Sequence, residues 1–255
     1  MTKIIGVVPA RMASTRFPGK PLFPICGKPM VEHVFQRAAM YDGWDGLFLA
    51  TCDDEIKSFG AENGYPTIMT SDQHTRALDR VAEAAEKCGI ELADDDIVVC
   101  VQGDEPMLQP DMIETVVAPL LADATVPCSV LAMKIEDEEV FRNPDTVKIV
   151  HDLKGDVLYT SRAPIPYTSN FSSELGARRI YGILAFRWHS LKWFSETAET
   201  PLELKESCDS NRICDHGGGQ RIAPYPQIDS FSVDSPADSD KVEAALKDDP
   251  LWGSY

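Results

Sequence analysis

Short apolar runs alternate with amphipathic stretches along this 255-residue chain, and the alternation predicts βαβ units. Lys3–Val8 (KIIGVV) reads as a buried strand, and Met30–Met40 (MVEHVFQRAAM) has helical spacing. Gly46–Thr51 (GLFLAT) is a second strand, followed by a helix to about Asn63, and Gly64–Met69 is a third strand. Asp79–Cys88 predicts a helix, Asp96–Val101 (DIVVCV) a strand with the composition of a sheet centre, Pro110–Leu121 a helix and Cys128–Met133 a strand. Asn143–Val150 and Val157–Ser161 read as a hairpin, and Arg162–Tyr167 holds two prolines. Arg179–Phe186 returns to strand and Ser190–Glu196 to helix; Pro201–Asp209 begins helically and Arg221–Tyr225 is an edge-type strand. No strand precedes Gly217-Gly218-Gly219, so that triplet reads as a turn after a helix rather than a phosphate cradle. The expected fold is α/β: one domain over 1–255, a mostly parallel sheet with helices on both faces, and a smaller β-rich lobe at 136–190.

Composition narrows the partners. Hydrophobic residues make up 44% and charged residues 25%, ordinary for a globular protein able to bury one substantial core. No apolar run approaches the roughly 18 residues of a membrane span, and no basic or apolar leader precedes the first strand, so a cytoplasmic protein is expected. The net charge of −17 argues against a nucleic-acid polymer or an anionic membrane as partner. Cations are concentrated locally instead, at Arg11, Arg16, Lys20 and Lys28, at Arg76 and Arg80, and at Arg178 and Arg179. The seven cysteines form no CxxC pair and read as reduced thiols, Cys100 in the core. His33, His151, His189 and His216 show neither zinc-ligand spacing nor a nucleophile–base arrangement.

Ligands in open parallel sheets bind at the carboxyl ends of the strands, and three polar clusters fall there. The first, Pro9-Ala10-Arg11-Met12-Ala13-Ser14-Thr15-Arg16-Phe17-Pro18-Gly19-Lys20, suits a polyphosphate through Arg forks, an ammonium and hydroxyl donors. It matches neither GxxxxGK[ST] nor GxGxxG. The second is Thr51-Cys52-Asp53-Asp54, and the third Gln102-Gly103-Asp104-Glu105-Pro106. Asp104, just beyond a buried strand, is costly to desolvate unless paired or metal-bound, and beside a triphosphate it is placed to hold Mg2+; a helix cap or turn aspartate is the plainer alternative. Glu105 is open between an orienting and a surface role. Asp234, in Val233-Asp234-Ser235-Pro236, is open between a helix cap and a second metal ligand.

PARMASTRFPGKPL, QGDEP and FSVDSPAD together resemble the sugar-acid cytidylyltransferases, and the FPGKPL ending resembles their CMP-Kdo synthetase (3-deoxy-manno-octulosonate cytidylyltransferase) branch. The resemblance runs over nearly the whole chain. It implies a nucleotide-diphospho-sugar transferase type of fold and a homodimer. The implied reaction is Mg2+-dependent transfer of CMP from CTP to a 2-keto-3-deoxy sugar acid for cell-surface polysaccharide. It further implies Lys20, Arg11 and Asp104 as catalytic residues and Asp104 with Asp234 as metal ligands. Pro9, Ala10, Arg11, Ser14, Arg16, Lys20, Thr51, Asp53, Arg80 and Gln102 would line the nucleotide. Asn143-Pro144…Val147-Lys148…Leu158-Tyr159-Thr160-Ser161-Arg162 resembles the family's acceptor-binding and dimer segment, and Arg162 suits a bidentate carboxylate.

Departures from the family pattern cluster on the acceptor side. HxSGTDR becomes His74-Thr75-Arg76-Ala77-Leu78-Asp79-Arg80, Ile180 stands where a sugar-contacting His is expected, and Asp209-Ser210 replaces Glu-Gln. Arg76, Tyr159, Arg162, Tyr181, Asp209 and Ser210 are therefore the expected acceptor contacts. The expected acceptor is Kdo or a Kdo-like acid, with Kdo itself expected to be poorer than a related acid; because Arg76 adds positive charge, a phosphonate is the alternative. A nucleotide-binding regulator without turnover is the reading from another class; intact Lys20, Asp104 and Asp234 speak against it.

Overall fold

A computed structural model describes residues 2–14 and 16–255. Thr15, one of the expected phosphate donors, lies outside the described residues. The chain opens with β1 (Ile4–Pro9), the small hairpin β2 (Pro24–Ile25) and β3 (Lys28–Pro29), and α1 (Met30–Ala39). It continues through β4 (Gly46–Thr51), α2 (Asp54–Glu62), β5 (Thr67–Met69), α3 (Ala77–Lys87), β6 (Ile97–Val101) and α4 (Pro110–Ala122). Then come β7 (Cys128–Lys134), α5 (Glu138–Arg142), β8 (Lys148–His151), β9 (Val157–Ser161) and β10 (Arg178–Arg187). The remainder is α6 (Trp188–Glu196), α7 (Pro201–Glu206), α8 (Ser210–Asp215), β11 (Arg221–Tyr225) and α9 (Pro236–Leu246).

The main path of the sheet runs β11-β7-β10-β6-β1-β4-β5. Every strand on it is parallel to the others except β10, which pairs antiparallel with both β6 and β7. The hairpin β8–β9 hangs from the start of β10, where Arg178 faces Ile149, whereas the rest of β10 runs through the sheet centre. This is the expected α/β architecture. The β2–β3 hairpin, α5 and α8 are additions that local periodicity did not mark.

Alternation along the central strands explains the two-sided core. Ile4 and Val8 of β1, with Ile97, Val99 and Val101 of β6, pack on one face with α1 and α4. Ile5 and Val7, with Val98 and Cys100, pack on the other face with α3 and α6. Strands buried on both faces must be apolar at every position, so they read as unbroken hydrophobic runs. Each such side chain contributes about 1.5–3 kcal/mol through burial. The three-glycine run follows α8 as a turn, as expected.

Candidate active site

Because β1, β4 and β6 run parallel, the loops that follow them emerge at one edge of the sheet. Their backbones are tied together before any side chain reaches outward. Ala10 N–H donates to the Ala50 carbonyl at 2.9 Å, and Met12 N–H to the Asp53 carboxylate at 2.8 Å. Asp53 therefore braces the basic loop. Gly103 closes the third side: a Cβ there would lie 2.6 Å from the Pro9 carbonyl oxygen, so only glycine lets the QGDEP turn approach β1 this closely. Gly19, at φ 74°, sits in the left-handed region and donates its N–H to the Met12 carbonyl at 3.1 Å, turning the loop back so that Lys20 points inward. Ser14 Oγ accepts the Phe17 N–H at 3.3 Å.

Charge converges where these loops meet the segment before α9. Lys20 Nζ donates to Asp104 Oδ2 at 2.9 Å and to the Val233 carbonyl at 2.8 Å, and lies 4.0 Å from Asp234 Oδ1. Arg16 Nη2 donates to Asp234 Oδ1 at 2.8 Å. Burial first, then the charge of Asp104, pushes the Asp234 carboxyl up, against the pull of Lys20 and Arg16. Asp234 is not the helix cap: Ser235 caps α9 in a capping box with Asp238. Two carboxylates within reach of one ammonium form a hard-oxygen donor set. Among the described residues no group of three or more His, Cys, Asp or Glu side chains could hold a metal ion. Two carboxylates are the donor set of a cation such as Mg2+, which takes one or two carboxylates and completes its shell with phosphate oxygens and water. Arg11 lies exposed at the mouth, with Nη1 3.4 Å from the His74 carbonyl.

Glu105 lies behind this centre and is buried, which removes the surface reading. Its Oε1 accepts the Gly182 N–H at 3.2 Å and the Ser232 hydroxyl at 2.6 Å, while Oε2 is buried without a partner. Burial, and then Asp104, pushes its carboxyl up to about 7. The Gln102 N–H donates to the Gly182 carbonyl at 2.9 Å, so β10 grips the QGDEP turn from both sides.

The acceptor side differs from expectation in one important respect. Arg76 is not a free anion receptor. Its guanidinium lies 3.3 Å from Glu199, 3.6 Å from Glu203 and 3.7 Å from Asp209. Arg212 makes a two-pronged pair with Glu203, at 2.9 and 2.7 Å, and reaches Asp79 at 3.2 Å. Two arginines thus face four carboxylates, and the charge of Arg76 is already balanced. Burial pushes the Asp209 carboxyl up to about 6, with Arg76 pulling the other way.

Four other expected contacts are buried. Tyr181 is enclosed with its hydroxyl 2.7 Å from Ser230 Oγ, Ser210 and Thr51 are buried, and the Thr51 hydroxyl accepts the Asp53 N–H at 3.1 Å. Arg80 is buried and spends its guanidinium on Thr70 Oγ1 and on the Ser71 and His74 carbonyls. Arg162 and Tyr159 stay partly open around Glu206. That carboxylate, held below its ordinary range by hydrogen bonds despite burial, accepts from Tyr159 OH, Ser161 Oγ and Arg162 N at 3.0, 2.7 and 2.9 Å. Arg162 also donates to the Glu206 and Pro144 carbonyls, at 2.7 and 2.9 Å. Lys148 is buried in a cradle of the Asn143, Thr146 and Arg162 carbonyls, and burial with the nearby Arg162 charge lowers it to about 8. Sequence reasoning missed Glu206 and Glu203 as organisers; the only signal is their place in the acidic run Leu202-Glu203-Leu204-Lys205-Glu206.

Residues 5–222 match the family model described as cytidylyltransferase. The chain is 39% identical to the 3-deoxy-manno-octulosonate cytidylyltransferase of Geobacter metallireducens, over 96% of this chain and 98% of that one. It is also 39% identical to the enzyme of the same name from Nitratidesulfovibrio vulgaris, over 95% and 96%. A solved CMP:2-keto-3-deoxy-manno-octonic acid synthetase, complexed with CTP, superposes with a TM-score of 0.86 at 35% identity, over 97% of this chain and 99% of that one. A 4-diphosphocytidyl-2C-methyl-D-erythritol synthase from Anaerococcus prevotii, 14% identical with a TM-score of 0.65 over 96% and 99%, shares the fold alone. With relatives of one name matched end to end, the chain belongs to the 3-deoxy-manno-octulosonate cytidylyltransferase (CMP-Kdo synthetase) family and is a cytidylyltransferase.

Proposed function

We propose that this cytidylyltransferase moves CMP from CTP to the anomeric hydroxyl of a 2-keto-3-deoxy sugar acid, Kdo or a close relative, with release of pyrophosphate. The observation that carries this reading is the junction of Lys20, Asp104, Arg16 and Asp234 at the carboxyl edge of the sheet. Arg11, Arg16 and Lys20 bind the triphosphate oxygens, and their fixed positions orient the α-phosphate for attack. Asp104 and Asp234 would hold Mg2+, which supplies charge neutralisation of the phosphates and lowers the pKa of a bound hydroxyl. Arg162 and Tyr159, set by Glu206, line the acceptor side, and the Arg76–Glu203–Arg212 network stiffens it. Because Arg76 is balanced by carboxylates, it no longer argues for a phosphonate acceptor. The acceptor hydroxyl gives its proton to water, its oxygen attacks the α-phosphorus, and pyrophosphate departs with the bonding pair of the broken P–O bond.

The outward residues of β9 and the loop after it, Leu158 and Tyr167, are exposed apolar side chains on a sheet edge and support a homodimer through this lobe. Among the described residues no helix is long and apolar enough to cross a membrane. The buried thiols of Cys100, Cys128 and Cys208 fit a reducing compartment and so support a cytoplasmic place. The test is pyrophosphate release with CTP and Mg2+ against a panel of ulosonic acids, sialic acids and phosphonates. Release with a 2-keto-3-deoxy acid supports the reading; turnover confined to phosphonates, or none at all, overturns it.

A further inference from the structure

Three segments far apart in sequence meet at one buried carboxylate. Glu105 Oε1 takes the Ser232 hydroxyl at 2.6 Å and the Gly182 N–H at 3.2 Å, so it joins the QGDEP turn, the segment before α9 and the start of β10. Ser232 precedes Asp234 by two residues, and Glu105 directly follows Asp104. A backbone tie runs alongside, from the Val233 N–H to the Asp104 carbonyl at 3.0 Å. The approach of β10 is itself tight: a Cβ on Gly182 would stand 2.8 Å from Glu105 Oε1 and 3.0 Å from Gln102 Cβ. The Asp104 and Asp234 carboxylates thus hang from two loops whose mutual position is set behind them, at a buried carboxylate.

We propose that Glu105 is a positioning residue of the reaction: by holding Ser232 it fixes the spacing of Asp104 and Asp234. Glu105 touches neither nucleotide nor acceptor. Its backbone is anchored at the end of β6, next to the Gln102 carbonyl that accepts its N–H at 3.2 Å. Its side chain links that strand end to the segment bearing Asp234 through the Ser232 hydroxyl. Losing the Glu105–Ser232 bond leaves each loop folded on its own side but lets the two carboxylates drift apart. A group acting on spacing should change how well the pair holds a divalent ion more than it changes CTP binding.

The inference rests on Asp104 and Asp234 as the metal-holding pair, and the experiment separates the two claims. Mn2+ binding is measured by electron paramagnetic resonance with the enzyme saturated by a non-reactive CTP analogue, beside steady-state kinetics over a range of Mg2+ concentrations. Asp104→Asn and Asp234→Asn serve as controls and should weaken Mn2+ at least ~10-fold; if they do not, the pair is not the metal site and the inference falls with it. With the controls behaving, Glu105→Ala and Ser232→Ala are each expected to weaken Mn2+ ~10-fold and raise the Mg2+ concentration needed for half-maximal rate similarly, with less than ~2-fold change in CTP affinity. The double variant should be no worse than the poorer single one, because both break the same bond. Glu105→Gln, which keeps an accepting oxygen, and Ser232→Thr, which keeps the hydroxyl, should restore most of the Mn2+ affinity. Unchanged Mn2+ affinity in Ser232→Ala, or additive losses in the double variant, overturns the proposal. Ser232→Ala carries the test should Glu105→Ala fail to fold.

Discussion

The Lys20 ammonium rests 2.9 Å from the Asp104 carboxylate, so a cation suited to phosphate and an anion suited to metal neutralise each other in the cleft. Neither is left as an uncompensated charge near the apolar end of β6, where an unpaired ion would cost several kcal/mol. The same contact makes the two residues separable by experiment, since each has a second tie that survives the loss of the other.

Asp104→Asn removes one carboxylate charge while Lys20 keeps the Val233 carbonyl. The expected outcome is a fall in kcat of at least ~10^2 with an unchanged circular dichroism spectrum and melting temperature within a few degrees. Near-normal pyrophosphate release in Mg2+ would remove Asp104 from the reaction.

Arg16→Ala and Lys20→Ala should weaken CTP more than CMP, because charge-assisted contacts to outer phosphates are worth roughly 1.5–3 kcal/mol each. Calorimetric titration of both nucleotides into each variant decides it. Equal losses for CTP and CMP would assign the loop to the α-phosphate or the nucleoside.

Arg76 tests the charge balance of the acceptor wall. Arg76→Gln leaves Glu199, Glu203 and Asp209 short of one cation, and stability should drop by about 2 kcal/mol in urea unfolding, less than for a fully enclosed pair. In the native enzyme a phosphonate should be at least ~10-fold poorer than a 2-keto-3-deoxy acid in kcat/KM, a difference of about 1.4 kcal/mol. A phosphonate that rivals the sugar acid would show that Arg76 leaves its carboxylates on substrate binding.

Stability should depend on pH through Asp209. Its folded carboxyl is raised to about 6 from an ordinary 3.8, so between those values the native chain holds a proton that the unfolded chain has released. The contribution is therefore full below about pH 4 and is lost as pH rises through 6. With the side chain 17% exposed and Arg76 beside it, the loss should be about 2 kcal/mol. Asp209→Asn should lack this step, so the difference between variant and parent curves should shift by that amount across the window. A pH-independent difference would mean that Asp209 is ionised throughout.

The sheet was legible because its central strands are buried on both faces, which forces the unbroken runs GVV and IVVCV. The meeting of the basic loop with QGDEP was legible because the parallel strands β1, β4 and β6 put the loops that follow them at the same edge. The ion pairs of Arg76 are illegible for the opposite reason: its three acidic partners lie more than a hundred residues away, in and around α7, and no local pattern reports such a pairing. For Tyr181, strand parity rather than polarity decides which way it faces. Alternation puts it with Ile183 and Ala185 against α4, while Ile180 packs on the opposite face. Glu105 was left open because its partners, Gly182 and Ser232, come from two further segments that only the folded sheet brings together.

The reversed direction of β10 has a consequence for altering acceptor preference. The start of this strand, rather than a loop beyond its end, reaches the substrate edge, so Ile180 rides on a backbone laddered to β7 on one side. Exchanging that side chain for a polar one would retune the pocket on a fixed mount, with the neighbouring chain unmoved. Adding or removing a single residue between Arg178 and Gly182 would instead disturb a stretch whose register against β7 already shifts between Ile180 and Leu184, and bring a side chain where Glu105 tolerates only hydrogen. Variation by substitution is open at this strand, and variation by length is closed.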